Sequence, residues 1–231
     1  MSRMKILITG SKGYLGKPLV ERLSKDHTII EYDLVDGKNI LNYDQLKREM
    51  KDCNIIIHLA AIPKPDENKT FDDYLQINCM GTLNVVKAAI ENKIKKMIYA
   101  SSTTYYGVER GIPAKFPLKE NQQIVPMYLK ADDLKCRDCD MAYSESKVIA
   151  ENILAFYGLL KKMQIVILRF PRIGDLEGPY GTMVSMNNAI QGIEKAIKSN
   201  KILWYEAFNI ANKLNNIDIS KAQEMLEYRP E

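Results

Sequence analysis

Histidine and cysteine are scarce in this chain of 231 residues, which has two of the first and four of the second. That leaves little for a metal cage. His27 and His58 fall in apolar segments that read as core, and Cys136 and Cys139 form a C-x-x-C with no second half, so no metal is expected and the pair reads as plain loop cysteines. Cys53 and Cys79 stand alone in segments that look buried and read as reduced structural thiols, the usual state in the cytosol. No apolar run approaches the ~20 residues that span a bilayer. The chain also passes from Met4 straight into a strand-like segment without the apolar stretch of a signal peptide. A cytoplasmic protein with no membrane partner is therefore expected. Blocks of like charge are missing too: the 33 basic and 29 acidic residues are scattered, which argues against a nucleic-acid partner. The densest basic cluster, Lys93, Lys95 and Lys96, reads as a solvated helix end.

What is present is an ordinary globular composition, 46% hydrophobic and 27% charged, long enough for one α/β domain. Short apolar runs at Lys5 to Thr9, Thr28 to Asp33, Asn54 to Leu59, Met97 to Ser101, Ile165 to Arg169 and Ala207 to Ile210 read as strands. Segments with helical spacing stand between and after them, at about Tyr14 to Leu23, Tyr43 to Met50, Asp72 to Asn92, Tyr143 to Lys162, Asn187 to Ser199 and Ser220 to Leu226. Such alternation predicts a doubly wound parallel sheet covered on both faces. A Pro-rich, charged stretch at 108–140 breaks the rhythm and reads as an insertion.

Chemistry is suggested at two places. Thr9-Gly10-Ser11-Lys12-Gly13-Tyr14-Leu15-Gly16 lies where a strand turns into a helix, so its backbone amides and the helix N-terminus can hold a pyrophosphate. Asp33 follows at about the ~20-residue spacing at which an acid meets the adenosine ribose, and Leu34 after it is not basic, which favours NAD over NADP. The second place is Tyr143-Ser144-Glu145-Ser146-Lys147, whose tyrosine and lysine share one helix face. A free tyrosine, with a pKa of ~10, is a poor base, and an adjacent ammonium favours its phenolate. Ser101, Ser102 and Thr103 close the fourth strand at the edge of the sheet where α/β folds place their sites.

With Thr9 to Gly16, Asp33, His58-Leu59-Ala60-Ala61, Asn78 with Gly81-Thr82, Ser101-Ser102 with Tyr106-Gly107, Tyr143 with Lys147, and Leu168-Arg169 in this order, the chain resembles the extended short-chain dehydrogenase/reductase family, which includes nucleotide-sugar epimerases and dehydratases. The resemblance implies a Rossmann-type core over 1–170, with a small substrate-binding region over 171–231 packed on it. It implies Tyr143 as acid/base, Lys147 as the ribose-binding residue that lowers its pKa, and Ser102 as the hydroxyl on the reacting oxygen, with Thr103 beside it. Gly10, Gly13, Tyr14, Leu15, Gly16, Leu59, Ala60 and Ala61 would lie along the cofactor. Asn78 matches a family asparagine near the active site and would also lie beside the cofactor, with a helix-stabilising role for it equally open. Members commonly dimerise through the helices that correspond to 72–92 and 143–162.

Phe170-Pro171-Arg172-Ile173-Gly174 departs from the family's usual asparagine and Tyr-Gly-Pro, and Arg172 there is a candidate for holding an anionic substrate group. Only about fifty residues follow Gly181, and in length and ending this tail resembles that of uronate dehydrogenases. Three readings follow: an NAD-dependent oxidoreductase on a sugar or sugar acid, a nucleotide-sugar epimerase with tightly held NAD, or a non-catalytic NAD-binding sensor or scaffold.

Overall fold

The computed structural model describes residues 3–108, 115–122, 136–213 and 216–231; most of the insertion expected at 108–140 lies outside the described residues. The chain runs β1 (Lys5–Thr9), α1 (Gly16–Leu23), β2 (Thr28–Tyr32), α2 (Tyr43–Glu49), β3 (Ile55–His58), α3 (Phe71–Tyr74), α4 (Gly81–Glu91), β4 (Lys96–Ser102), α5 (Asp138–Leu159), β5 (Gln164–Phe170), α6 (Met186–Lys198), β6 (Tyr205–Asn209) and α7 (Ser220–Leu226). All six strands lie parallel in the order β2-β1-β3-β4-β5-β6. The order reverses beside β1, so a crevice opens between the carboxyl ends of β1 and β3, the position at which doubly wound sheets bind ligands.

The strands read as unbroken apolar runs because both faces of the sheet are covered. Side chains alternate between the faces. Ile6 and Ile8 pack with Leu19 of α1, Ile193 of α6 and Leu226 of α7, whereas Leu7 between them packs with Leu46 of α2, Val86 of α4 and Leu154 of α5.

Five expectations are corrected. The boundary at residue 170 is not structural, because β6 pairs with β5 from Ile165↔Tyr205 to Arg169↔Asn209 and α6 packs on the same core. Residues beyond 170 complete the sheet instead of forming an appendage. The helix expected at 72–92 is interrupted by a wide π turn, Leu75–Met80, where the Thr82 hydroxyl bonds the Asn78 carbonyl at 2.6 Å. The helix expected from Tyr143 begins at Asp138, where the Asp140 carboxylate accepts the Arg137 backbone amide at 3.2 Å and Arg137 Nε at 2.9 Å across the first turn, so Tyr143 sits inside the helix. Cys139 is therefore a buried helical residue and not a loop cysteine. No cluster of metal-binding side chains occurs among the described residues.

Lys96 is likewise not a solvated helix-end residue. Its side chain is buried, and Nζ donates to the carbonyls of Ala196 at 3.1 Å and Ser199 at 2.8 Å, which closes the C-terminus of α6. Burial pulls its pKa down. No described helix is long and apolar enough to cross a membrane.

Candidate active site

A cavity of about 1060 Å³ follows the carboxyl edge of the sheet. Its β1 end is made of backbone. Gly10 has φ +71°, and a Cβ there would stand 2.7 Å from the Ala60 nitrogen, so the turns after β1 and β3 touch and only glycine fits. A Cβ on Gly16 would meet the Gly10 carbonyl oxygen at 2.1 Å. Leu15, at the N-cap of α1, supplies no side-chain cap; in the first turn Lys17 donates its amide to the Gly13 carbonyl at 3.1 Å and Pro18 has none, so among the described residues the Gly16 amide remains for another acceptor. Gly13, Tyr14, Leu59 and Ala61 line the same end. Asp33 closes it: Oδ2 accepts the Lys12 amide at 2.9 Å and Oδ1 the Val35 amide at 3.1 Å, which aims the carboxylate along the cavity wall. Lys12 also lines the cavity, with its ammonium 2.6 Å from Glu31.

A buried relay fixes the floor. The Ala60 amide donates to Thr9 Oγ1 at 3.3 Å, Thr9 Oγ1 bonds His58 Nδ1 at 2.7 Å, and His58 Nε2 bonds Thr82 Oγ1 at 3.0 Å. Since the Thr82 hydroxyl donates to the Asn78 carbonyl, it must accept from Nε2, which assigns the neutral imidazole with its proton on Nε2. Burial, with the Lys147 ammonium nearby, pushes the His58 pKa down to about 3.

The other end is made of side chains. Tyr143 and Lys147, one turn apart on α5, are both buried and both line the cavity. Lys147 Nζ donates to the Ala100 carbonyl at 3.1 Å and stands 5.8 Å from the centre of the Tyr143 ring and 5.2 Å from that of Tyr99. Burial lowers the Lys147 pKa to about 8, against the opposing pull of Glu151 and Cys79. Ser102 ends β4 at the wall, where its oxygen accepts the Thr104 amide at 3.2 Å, which leaves the hydroxyl proton for another partner. Thr103 lines the cavity beside it, and so does exposed Arg172 from the turn after β5.

One candidate stands elsewhere. Asn78 does not line the cavity: its amide holds the Ile62 backbone through Oδ1 at 2.7 Å and Nδ2 at 3.3 Å, and Nδ2 reaches the Ser146 hydroxyl at 2.9 Å. It clips the turn after β3 to α5. Sequence reasoning attached no role to Glu151, Ser101 or Arg169, which form a buried cluster behind the catalytic end. The signal was an acid one turn beyond Lys147, between buried Ala150 and Leu154, where a solvated residue would not be expected.

Comparison with known proteins gives the family and the fold. The sequence model described as the NAD dependent epimerase/dehydratase family matches residues 6–208. The chain is similar to a putative UDP-glucose 4-epimerase of Methanocaldococcus jannaschii, 28% identical over 76% of this chain and 58% of that protein. It is also similar to an L-arabinose 1-dehydrogenase (NAD(P)(+)) of Haloferax volcanii, 31% identical over 42% of this chain and 41% of the other. The chain thus spans less than three fifths of the length of these curated relatives. Among solved structures, its fold is similar to that of a UDP-glucuronic acid 4-epimerase from Bacillus cereus in complex with UDP-glucuronic acid and NAD, with TM-score 0.80, 21% identity, and 99% and 94% of the two chains covered. It is similar as well to that of a mutated uronate dehydrogenase, with TM-score 0.73, 17% identity, and 100% and 82% covered.

Proposed function

This chain belongs to the NAD-dependent epimerase/dehydratase family, and from that premise we propose that it is an NAD-dependent oxidoreductase acting on a hydroxyl or carbonyl of a sugar or sugar acid. The observation that carries the reading is the single cavity that joins the glycine turn Gly10–Gly16 to Tyr143, Lys147 and Ser102. The glycine end fits a dinucleotide: the close-approaching backbone and the Gly16 amide at the start of α1 suit a pyrophosphate, and Asp33 suits a ribose diol. When bound there, NAD supplies the hydride acceptor. The chain's own residues handle the proton. The Lys147 ammonium favours the Tyr143 phenolate, the Tyr143 oxygen takes the proton of the sugar hydroxyl as it is oxidised, and the Ser102 hydroxyl bonds the same sugar oxygen to hold it in place. A sensor or scaffold would not need these three side chains on one cavity wall.

A small substrate is favoured because, beyond β5, the described residues lining the cavity are Pro171, Arg172, Ile173 and Thr182. Arg172 has no ion pair among the described residues, and its planar fork suits a carboxylate. The epimerase reading is favoured instead by the similarity to the putative UDP-glucose 4-epimerase and by the cavity's volume, which leaves room for more than a monosaccharide beside a cofactor. Incubating the purified protein with aldoses, uronates and UDP-sugars separates the two. Release of free NADH from a uronate or aldose supports the first; interconversion of UDP-sugars with NAD retained in the native mass spectrum overturns it. Arg172→Lys is expected to raise KM for an acidic sugar much more than for its neutral analogue, with NAD affinity unchanged; an equal effect on both returns Arg172 to a structural role.

The same reading takes the protein as a homodimer through α4 and α5, whose solvent face exposes Phe156 and Leu159, and native mass checks it. The buried free thiols of Cys53, Cys79 and Cys139 suit the reducing cytoplasm.

A further inference from the structure

Behind the wall that carries Tyr143, Lys147 and Ser102 lies a carboxylate with no solvent exposure, Glu151. Its Oε1 accepts the Ser101 hydroxyl at 2.6 Å and Arg169 Nε at 3.0 Å, and its Oε2 accepts Arg169 Nη2 at 2.7 Å. Each partner adjoins a cavity residue. Ser101 itself lines the cavity next to Ser102 in β4, and Arg169 precedes Phe170 and the Arg172 turn at the end of β5. Glu151 itself follows Lys147 by four residues and Tyr143 by eight, and so shares their helix face. Arg169 is held on its far side as well, where Nη1 donates to the Tyr106 hydroxyl at 3.1 Å, which in turn donates to Asn209 of β6 at 2.7 Å.

We infer that Glu151 is the positioning residue of this site: its carboxylate locks α5 against β4 and β5, and so sets Tyr143 and Lys147 opposite Ser102 while supplying the negative charge that keeps Lys147 an ammonium. The inference rests on the proposed roles of Tyr143, Lys147 and Ser102. A buried ion pair is weak support for stability in itself, because desolvation offsets much of the attraction. The geometry assigns it a different task, since one carboxylate holds Ser101 of the cavity wall and Arg169 beside it, and so fixes α5, β4 and β5 where they line the cavity. Electrostatics agrees. The titratable groups facing Lys147 are His58 from β3, Cys79 from the π turn, Tyr99 from β4, and Tyr143 and Glu151 from α5. Near neutral pH His58 is uncharged, with its pKa pushed down to about 3, and Cys79 is uncharged, with its pKa pushed up to about 11. The negative charge near Lys147 comes from the Glu151 carboxylate, ion-paired with Arg169 at 2.7 Å.

Two variants test this, each in the full chain loaded with NAD. Glu151→Gln keeps shape and removes charge, leaving the Arg169 cation unpaired behind Lys147. Both changes make the Tyr143–Lys147 pair give up protons more easily. The ultraviolet tyrosinate titration, taken as the difference from the same variant carrying Tyr143→Phe, needs no sugar and is expected to move to lower pH by about one unit. Ser101→Ala keeps the ion pair and frees β4. With the sugar that gives NADH, its kcat is expected to fall about tenfold to a hundredfold with KM for sugar and NAD nearly unchanged, because misplacement by ~1 Å costs on that order. An unmoved titration in a folded Glu151→Gln protein, or full kcat in Ser101→Ala with only a lower melting temperature, would overturn the inference and leave Glu151 a structural residue. Failure of the underlying reading looks different: Tyr143→Phe would then turn over normally.

Discussion

Where the cavity meets β1 and β3, its wall is mostly main chain; where it meets β4, β5 and α5, its wall is made of side chains. At the first end the shape comes from absent atoms, since Gly10 lets the turns after β1 and β3 touch and Gly16 lets α1 start against Gly10. At the second end no backbone could do the chemistry, so Tyr143, Lys147 and Ser102 need their own support, and a buried polar cluster stands behind them. Amides aimed at a phosphate are positioned by the helix they begin. A hydroxyl that must meet a reacting oxygen is positioned only by what packs on its side chain and on its helix. The comparison teaches that one cavity joins a site that is cheap to specify with one that is not.

The sharpest cut through that comparison is Tyr143→Phe. Turnover is expected to fall ~10²–10⁴-fold, the usual contribution of a proton-transferring group, while calorimetry finds NAD binding unchanged. Equal losses of both would mean that the two ends are not separable.

Next in size is Arg169→Met. It leaves the Glu151 carboxylate buried without its partner, and urea unfolding is expected to show a loss of about 3–5 kcal/mol. Replacing both members with Arg169→Met and Glu151→Leu should restore much of that stability. A single-variant loss under about 1 kcal/mol, the range of an exposed pair, would remove the claim that charge holds the catalytic half together.

At the backbone end, Asp33 is expected to make NAD bind more tightly than NADP by roughly 1.5–3 kcal/mol, about tenfold to a hundredfold, with Asp33→Asn narrowing the gap. Lys12 beside it is occupied by Glu31 at 2.6 Å and so offers little to a 2′-phosphate. Calorimetry that finds NADP bound as tightly as NAD contradicts this.

The last effect, absent at neutral pH and growing only on acidification, concerns His58, whose pKa is pushed below its ordinary 6.5 to about 3 by burial, with the Lys147 charge adding to the shift. The unfolded chain then takes up a proton that the folded one refuses. Between pH 6.5 and about 3 stability falls as pH falls, by about 1.4 kcal/mol per unit. His58→Asn should remove that component of the slope in urea titrations at pH 6.5 and below; an unchanged slope would show that the Thr9–His58–Thr82 relay can accept a charge.

The sequence alone determined the parallel sheet, the glycine turn with Asp33 behind it, and the pairing of Tyr143 with Lys147. These rest on local relations: strand and helix periods, a turn that only glycine can make, and two side chains four apart on a helix. Tertiary structure alone decided the rest. Asn78 looked like a cofactor neighbour, but within the π turn its side-chain amide bonds Ile62 and Ser146 and does not line the cavity. Residues beyond 170 looked like an appendage, and β6 turned out to extend the sheet, because strand pairing joins residues far apart in sequence and leaves no local trace. Glu151, Ser101 and Arg169 are 50 and 18 residues apart along the chain, and each alone reads as an ordinary polar residue. Their meaning arises from burial, since a carboxylate withdrawn from water must find its partners within the fold, and only the packing of α5 on β4 and β5 brings those partners to it.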